Sequence, residues 1–351
     1  MLRFCTHFRL RNLVAAAGLL FLLGSCSSPS DEGDDGCTDL GVSKDLVRVM
    51  YWGEVTPGEY RPNQGFPTSF VRMPLWYRDD AILVYTAAFF GGPMVRGIFE
   101  VKINPQTYSL VGVEPAHFPY PILTFDYLAS SEQLLLAYTT SAGIFEVALA
   151  RVQGADIVSD SVIVDASRVP WSAQADGSGR IVYYSAGASP GFFEAGTDSL
   201  LLSLILTPTD ALGFDCTADT LYFGQTIGAY SAARSAVLHK DLSTDNPPVV
   251  FADLEGEFVS VRADAKGRVL ACTYFWGDTD TPPGSRVYQV DVTSGTTHLL
   301  DTRTHASGCR FVISDFASWS PDGSAFAFSA SSFSGEQDLW PRSLWVHKRP
   351  R

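Results

Sequence analysis

The chain has 351 residues, a formal net charge of −13 at pH 7, 46% apolar and 13% aromatic residues, and only 18% charged residues. That length and apolar content suffice for a large core, and so many aromatic side chains exclude intrinsic disorder and a coiled coil. A chain this acidic lacks the basic surface that displaces counterions from nucleic acid or grips anionic lipid headgroups, so neither partner is expected.

From the N-terminus, Arg3, Arg9 and Arg11 precede an apolar run from Leu13 to Leu23, followed by Gly24, Ser25 and Cys26. A basic start, an apolar stretch too short to span a bilayer stably and a small-residue exit predict a secretory signal over residues 1–25. The segment Leu23-Gly24-Ser25-Cys26 resembles the lipobox of bacterial lipoproteins. That resemblance implies that Cys26 becomes the acylated first residue of the mature chain, with the membrane as a partner through its lipid. Residues 26–44 then read as the lipidated cysteine and a flexible acidic tether, because Ser27 to Gly36 contains no aliphatic or aromatic residue to bury. Ser27, where an aspartate would imply retention at the inner membrane, implies the outer membrane, facing the periplasm or the cell surface.

Residues 45–348 show little helical patterning. A short polar turn followed by a β-branched or aromatic run recurs instead at Arg78–Tyr85, Ser131–Tyr138, Asp176–Tyr184, Ala218–Phe223, Asp264–Ala271 and Asp322–Ser329. The mean period is about 49 residues, a length that accommodates several strands per unit and predicts a β-propeller. A second series keeps step with the first. The pentapeptide Gly-Ile-Phe-Glu-Val occurs at residues 97–101 and again at 143–147, and Ser285–Asp291 and Arg342–Val346 fall at matching places. The reading is all-β, a six-bladed β-propeller. Leu46–Trp52 is a spare strand before the first unit, and the expectation is that it closes the ring as the outer strand of the last blade, hiding an edge.

Trp319-Ser320-Pro321-Asp322-Gly323-Ser324-Ala325-Phe326-Ala327-Phe328-Ser329 resembles the repeat of TolB-like six-bladed propellers, often called the PD40 repeat. In that family Pro-Asp-Gly forms the tight turn between the first two strands of a blade, which suits proline's preset φ and the tolerance of aspartate and glycine for turn conformations. The resemblance implies a fold, and it extends to the family's habit of binding other proteins outside the cytoplasm.

In a propeller whose strands run A to D outward from the axis, the B–C and D–A connections share one face. The B–C connections are expected to be long, at 87–96, 186–197, 225–234, 274–284 and 330–341, and to carry Phe89, Phe90, Phe192, Phe193, Tyr230, Trp276 and Trp340, with Asp278 among them. Exposed rings on loops of a rigid scaffold suit stacking on a sugar or gripping a peptide. The expected function is therefore a lipid-anchored binding or scaffold module for an envelope protein, peptide or glycan. The alternative is an extracytoplasmic carbohydrate-active hydrolase or lyase using Asp126, Asp215 or Asp315, which fall at or near the starts of innermost strands. No residue pattern marks those three as catalytic. Gly187-Ala188-Ser189-Pro190-Gly191 has the letters of a nucleophile elbow, but Pro190 lacks the N–H that an oxyanion hole requires. The histidines and cysteines show no metal-ligand spacing, and no metal or cofactor is expected. Of the cysteines beyond Cys26, a Cys37–Cys309 bridge would fasten the ring closure, while Cys216 and Cys272 fit buried thiols.

Overall fold

Short apolar runs punctuated by Asp and Gly build a chain that is strand almost throughout. The computed structural model describes residues 46–51, 70–88, 95–229, 232–264, 266–275, 284–300, 310–333 and 343–348, all within one compact unit spanning 39–351. Its strands are β1 (Leu46–Tyr51), β2 (Phe70–Arg78), β3 (Ala81–Ala88), β4 (Val95–Ile103) and β5 (Leu110–His117), then β6 (Ile122–Leu128), β7 (Gln133–Thr139), β8 (Phe145–Gln153) and β9 (Asp156–Val164). There follow β10 (Pro170–Ala175), β11 (Ile181–Ser185), β12 (Gly191–Glu194) and β13 (Ser199–Ser203), then β14 (Asp215–Thr217), β15 (Thr220–Ile227), β16 (Arg234–Asp241) and β17 (Val249–Glu255). The last are β18 (Glu257–Ala263), β19 (Arg268–Phe275), β20 (Gly284–Asp291) and β21 (Thr297–Leu300), then β22 (Arg310–Trp319), β23 (Ala325–Phe333) and β24 (Ser343–Lys348).

Each group of four consecutive strands from β2 to β21 is an antiparallel meander, and the meanders β2–β5 and β6–β9 are joined by a single parallel bridge between His117 and Asp156. The final sheet has the order β1-β24-β23-β22, with Leu46 opposite His347 and Tyr51 opposite Ser343. The first strands of successive sheets neighbour one another: β2 beside β6, then β10, β14, β18 and β22, with β22 again beside β2. This is an all-β propeller. Its apolar residues form seams between neighbouring sheets, as expected when sheets pack face to face. One seam sets Ile82, Val84, Phe99 and Val101 of the first meander against Val49, Met50, Leu344 and Val346 of β1 and β24. Another sets Leu135, Ala137 and Val147 against Ala173 and Tyr183.

The turns expected from the sequence lie between the first and second strands of each sheet. Asp176 Oδ1 accepts from the N–H groups of Ser178 (2.8 Å) and Arg180 (2.9 Å), and Asp264 Oδ1 does the same with Lys266 (2.9 Å) and Arg268 (2.8 Å). Ser320 takes that role in the last sheet, its Oγ accepting from Ala325 N (2.9 Å). Gly323 therefore corresponds to Gly179 and Gly267, rather than to Gly177, and the three share a positive φ of 67°, 91° and 74° respectively. The turns also latch neighbouring sheets: the Arg268 guanidinium lies over the Trp319 ring and donates to Gly323 O at 2.9 Å.

One expected loop is a strand. Gly191–Glu194, inside the connection expected at 186–197, forms β12, flanked by short turns on both sides. A Cβ at Gly191 would stand 2.4 Å from Leu202 O, so only glycine lets β12 start this close to β13. Between β13 and β14 a single helical turn, α1 (Pro208–Leu212), is capped by Thr207. The residue after it, Gly213, donates no side chain to a crowded joint: its carbonyl accepts from Val261 N at 2.7 Å, and a Cβ there would sit 1.9 Å from Val259 O. Gly213→Ala is expected to lower stability by about 2 kcal/mol or more. Gly112→Ala, where a Cβ meets nothing within 4 Å, is expected to stay within about 0.5 kcal/mol of the parent. Chemical denaturation of the two variants checks the contrast, and equal losses would contradict the close approach of α1 to β18.

Candidate functional site

The innermost strands place polar side chains at alternate positions, hence on one face. These are Thr124 and Asp126 on β6, Ser172 and Gln174 on β10, Asp215 on β14, Ser260 and Arg262 on β18, and Ser318 on β22; all but Arg262 are buried. The strand order explains why they are polar. Each innermost strand ends its sheet, so one row of its backbone groups has no ladder partner and needs another. Side chains of the adjoining sheet supply it. Thr124 Oγ1 accepts from Ala173 N at 3.3 Å and Asp126 Oδ2 from Ala175 N at 2.9 Å. Asp215 Oδ2 accepts from Ala263 N at 2.7 Å, and Ser318 Oγ from Trp76 N at 2.9 Å, which joins the last sheet to the first. In the other direction Ser172 Oγ donates to Ala211 O.

Arg262 gathers these joints into one cluster. Its Nη1 donates to Asp215 Oδ1 at 3.1 Å and to Gln174 Oε1, so that β10, β14 and β18 meet on one guanidinium. Asp126 feels both Arg262 and Asp215 electrostatically. Burial raises the Asp126 carboxyl to about 6; the Arg262 charge and the Ala175 and Tyr127 N–H groups pull it down, while the Asp215 charge pushes it up. Burial also raises Asp215, against the pull of Arg262 and the Ala263 N–H.

Two of the three carboxylates expected near the axis, Asp126 and Asp215, thus share a cluster, and Asp315 lies in β22. They are 9% and 6% exposed, and each of their oxygens already accepts one N–H of the protein, Asp126 Oδ1 from Tyr127 N at 2.8 Å. Their chemistry is to tie strands together. The aromatic pair Phe192 and Phe193, expected on a loop rim, is 0% and 5% exposed. As neighbours in β12 the two rings point to opposite faces, Phe192 packing on Phe214 and Phe223 and Phe193 stacking on Tyr183. They are core of the third sheet's two seams. Cys26, Cys37, Phe89, Phe90, Tyr230, Trp276, Asp278, Cys309 and Trp340 lie outside the described residues. Cys216 and Cys272 are buried thiols, and burial pushes Cys272 up to about 12. Among the described residues no group of three or more His, Cys, Asp or Glu could hold a metal.

The B–C and D–A connections do carry an aromatic cluster that sequence reasoning missed. The connection between β5 and β6 bears Phe118 and Tyr120. Tyr120 stacks on Tyr138, at the end of β7, with ring centroids 5.6 Å apart, and Phe118 meets both edge-on. Tyr138 donates to Glu146 Oε2 at 2.6 Å; Phe118 and Tyr138 are each 4% exposed and belong to the core, Tyr120 is partly buried, and Ile144 in the β7–β8 connection is 40% exposed. The available signal was Phe118-Pro119-Tyr120-Pro121, an aromatic-proline alternation in a connection of only four residues.

No protein-family model matches the sequence, and no curated protein matches it. Solved propeller structures do. The β-propeller domain of the trilobed protease from Pyrococcus furiosus, described as having an open velcro topology, is 8% identical, with 78% of this chain and 83% of that one covered and a TM-score of 0.44. TolB from Acinetobacter baumannii is 11% identical, with 80% of this chain covered and a TM-score of 0.44; the match spans 63% of the TolB chain, less than two thirds of its length. The WD40 domain of Neurospora crassa Pan2 is 12% identical, with 88% and 97% covered and a TM-score of 0.42. The chain is similar to TolB-like propellers, and the likeness is one of fold.

The raised Asp126 carboxyl has a consequence for stability. A carboxyl whose folded pKa lies above its unfolded value stabilises fully below the unfolded pKa, and that stabilisation is lost as pH rises through the folded value. Asp126→Asn removes this dependence. The variant is expected to be less stable than the parent near pH 4, where its amide N–H opposes a backbone donor, with the gap narrowing by about 2 kcal/mol toward pH 7.5. Urea titrations across that range check it, and a gap that widens with pH would show that the charged form is the stabilising one.

Proposed function

We propose that this chain is a six-bladed propeller, its ring closed by β1 as the outer strand of the last blade, held outside the cytoplasm by lipid on Cys26 and a tether over residues 26–44. It acts as a binding or scaffold module for an envelope protein, peptide or glycan, using the face that carries the B–C and D–A connections. The observation that carries this reading is the division of labour between the axis and that face. Asp126 and Asp215 are consumed in ties between strands, whereas partly buried Tyr120, seated on buried Phe118 and Tyr138, and the exposed Ile144 lie on connections of that face. Phe89, Phe90, Tyr230, Trp276, Asp278 and Trp340 belong to connections of the same type, and they extend the proposed surface. Tyr120, partly buried and braced by the buried rings of Phe118 and Tyr138, would lose little rotational freedom on binding. The hydrolase or lyase alternative would require a carboxylate free to meet substrate, and Asp126 and Asp215 do not offer one.

Crosslinked pull-down of the lipidated protein from its native envelope, followed by mass spectrometry, tests the reading. Recovery of the partner is expected to fall at least about tenfold, the loss of one hot-spot aromatic, for Trp276→Ala, Trp340→Ala or Tyr120→Ala. Undiminished recovery by all three would contradict a binding role for this face. Cys26→Ser is expected to move the protein from the membrane to the soluble fraction, and retention in the membrane would contradict lipid anchoring.

A further inference from the structure

Gln174 poses an unmet requirement at the axis. Its side chain is fully buried, and its Oε1 accepts from Arg262 Nη1, yet its Nε2 has no hydrogen-bond partner in the protein. Exchanging the amide's oxygen and nitrogen does not resolve this. A guanidinium has donors only, so the oxygen must face Arg262 and the donor is left over. An unpaired buried N–H costs about 1–3 kcal/mol, which makes an acceptor at this point strongly favoured.

Chemistry narrows the choice of acceptor. The amide is bound to the positively charged Arg262, the same Nη1 reaches Asp215 Oδ1 at 3.1 Å, and Asp126 interacts electrostatically with both Arg262 and Asp215. A metal cation would have to approach an N–H and a guanidinium, both of which repel it. An anion would have to approach two carboxylates. An apolar guest would leave the N–H unmet. A neutral molecule that accepts once and donates twice satisfies every group, and buried polar pockets with two to four such partners are where proteins hold internal water. We infer that the axial cluster binds a single water molecule, which accepts from Gln174 Nε2 and donates to the carboxylates of Asp126 and Asp215. The water bridges the second, third and fourth sheets and places a hydrogen-bond donor between two like charges.

A high-resolution crystal structure of the full-length protein in detergent tests this directly. One density peak is expected about 2.8–3.2 Å from Gln174 Nε2 and within the same reach of at least one carboxylate oxygen of Asp126 or Asp215. Gln174 Nε2 left without a neighbour, or a peak with the coordination of a metal cation, would overturn the inference. Thermal melting of Gln174→Met gives an independent reading on a variant of similar shape. The melting temperature is expected to fall by several degrees, because the water loses its anchor and Arg262 loses an acceptor. A rise would mean that the parent carries an unmet donor whose removal is a relief, and would overturn the inference as well.

Discussion

The backbone N–H groups on the free edge of each innermost strand set the terms for this structure. A sheet that radiates from an axis must end there, and the ending strand has a ladder partner on one side only. In this chain the unmatched donors are met by side chains of the adjoining sheet, Thr124 and Asp126 reaching β10, Asp215 reaching β18 and Ser318 reaching β2. Those bonds do what a continuous ladder cannot, since they join one sheet to the next. The ring depends on them at its narrowest part, where apolar area is small, and on the wide seams of Ile, Val, Leu and aromatic residues farther out.

That requirement explains the composition of the axis and limits what the axis does. Carboxylates are strong acceptors for backbone N–H, but burial makes their charge costly and raises the Asp126 carboxyl to about 6. Arg262 offsets the cost by serving Asp215 and Gln174 together. A group committed to two backbone or guanidinium bonds is a poor general acid or base, because each proton transfer would break a joint. The connections at the other end of the strands are under no such constraint, and one of them carries Tyr120, partly buried over the core rings of Phe118 and Tyr138.

Much of the propeller was legible in the sequence because its turns are made by local chemistry. Asp176, Asp264 and Ser320 bond N–H groups two to five residues ahead, and a glycine at positive φ completes each turn, so the repeat shows in the letters. In the PD40-like turn two residues share that work, Ser320 Oγ accepting from Ala325 N and Asp322 Oδ1 from Ser324 N at 2.9 Å, and Ser320 occupies the place of Asp176 and Asp264. Phe192 and Phe193 read as a loop because Pro190 and Gly191 precede them and Ala195 and Gly196 follow soon after, leaving only three residues between. Burial against Phe214 and Tyr183 decides the matter, and those partners lie in other parts of the chain. The axial cluster was half legible: the alternation of Thr124 with Asp126, Ser172 with Gln174 and Ser260 with Arg262 was present, but which residues face one another depends on the stagger between sheets, which no local pattern encodes.

Native-state hydrogen exchange, resolved to single amides by NMR, tests most directly whether side chains close the inner edges. The amides of Trp76, Ala173, Ala175 and Ala263, each bonded to a side chain across a joint, should exchange only through global unfolding, at rates matching the most protected amides of the second strands. Exchange of these four amides on the time scale of surface turns, while the second strands stay protected, would contradict the latched axis on which the structure is built.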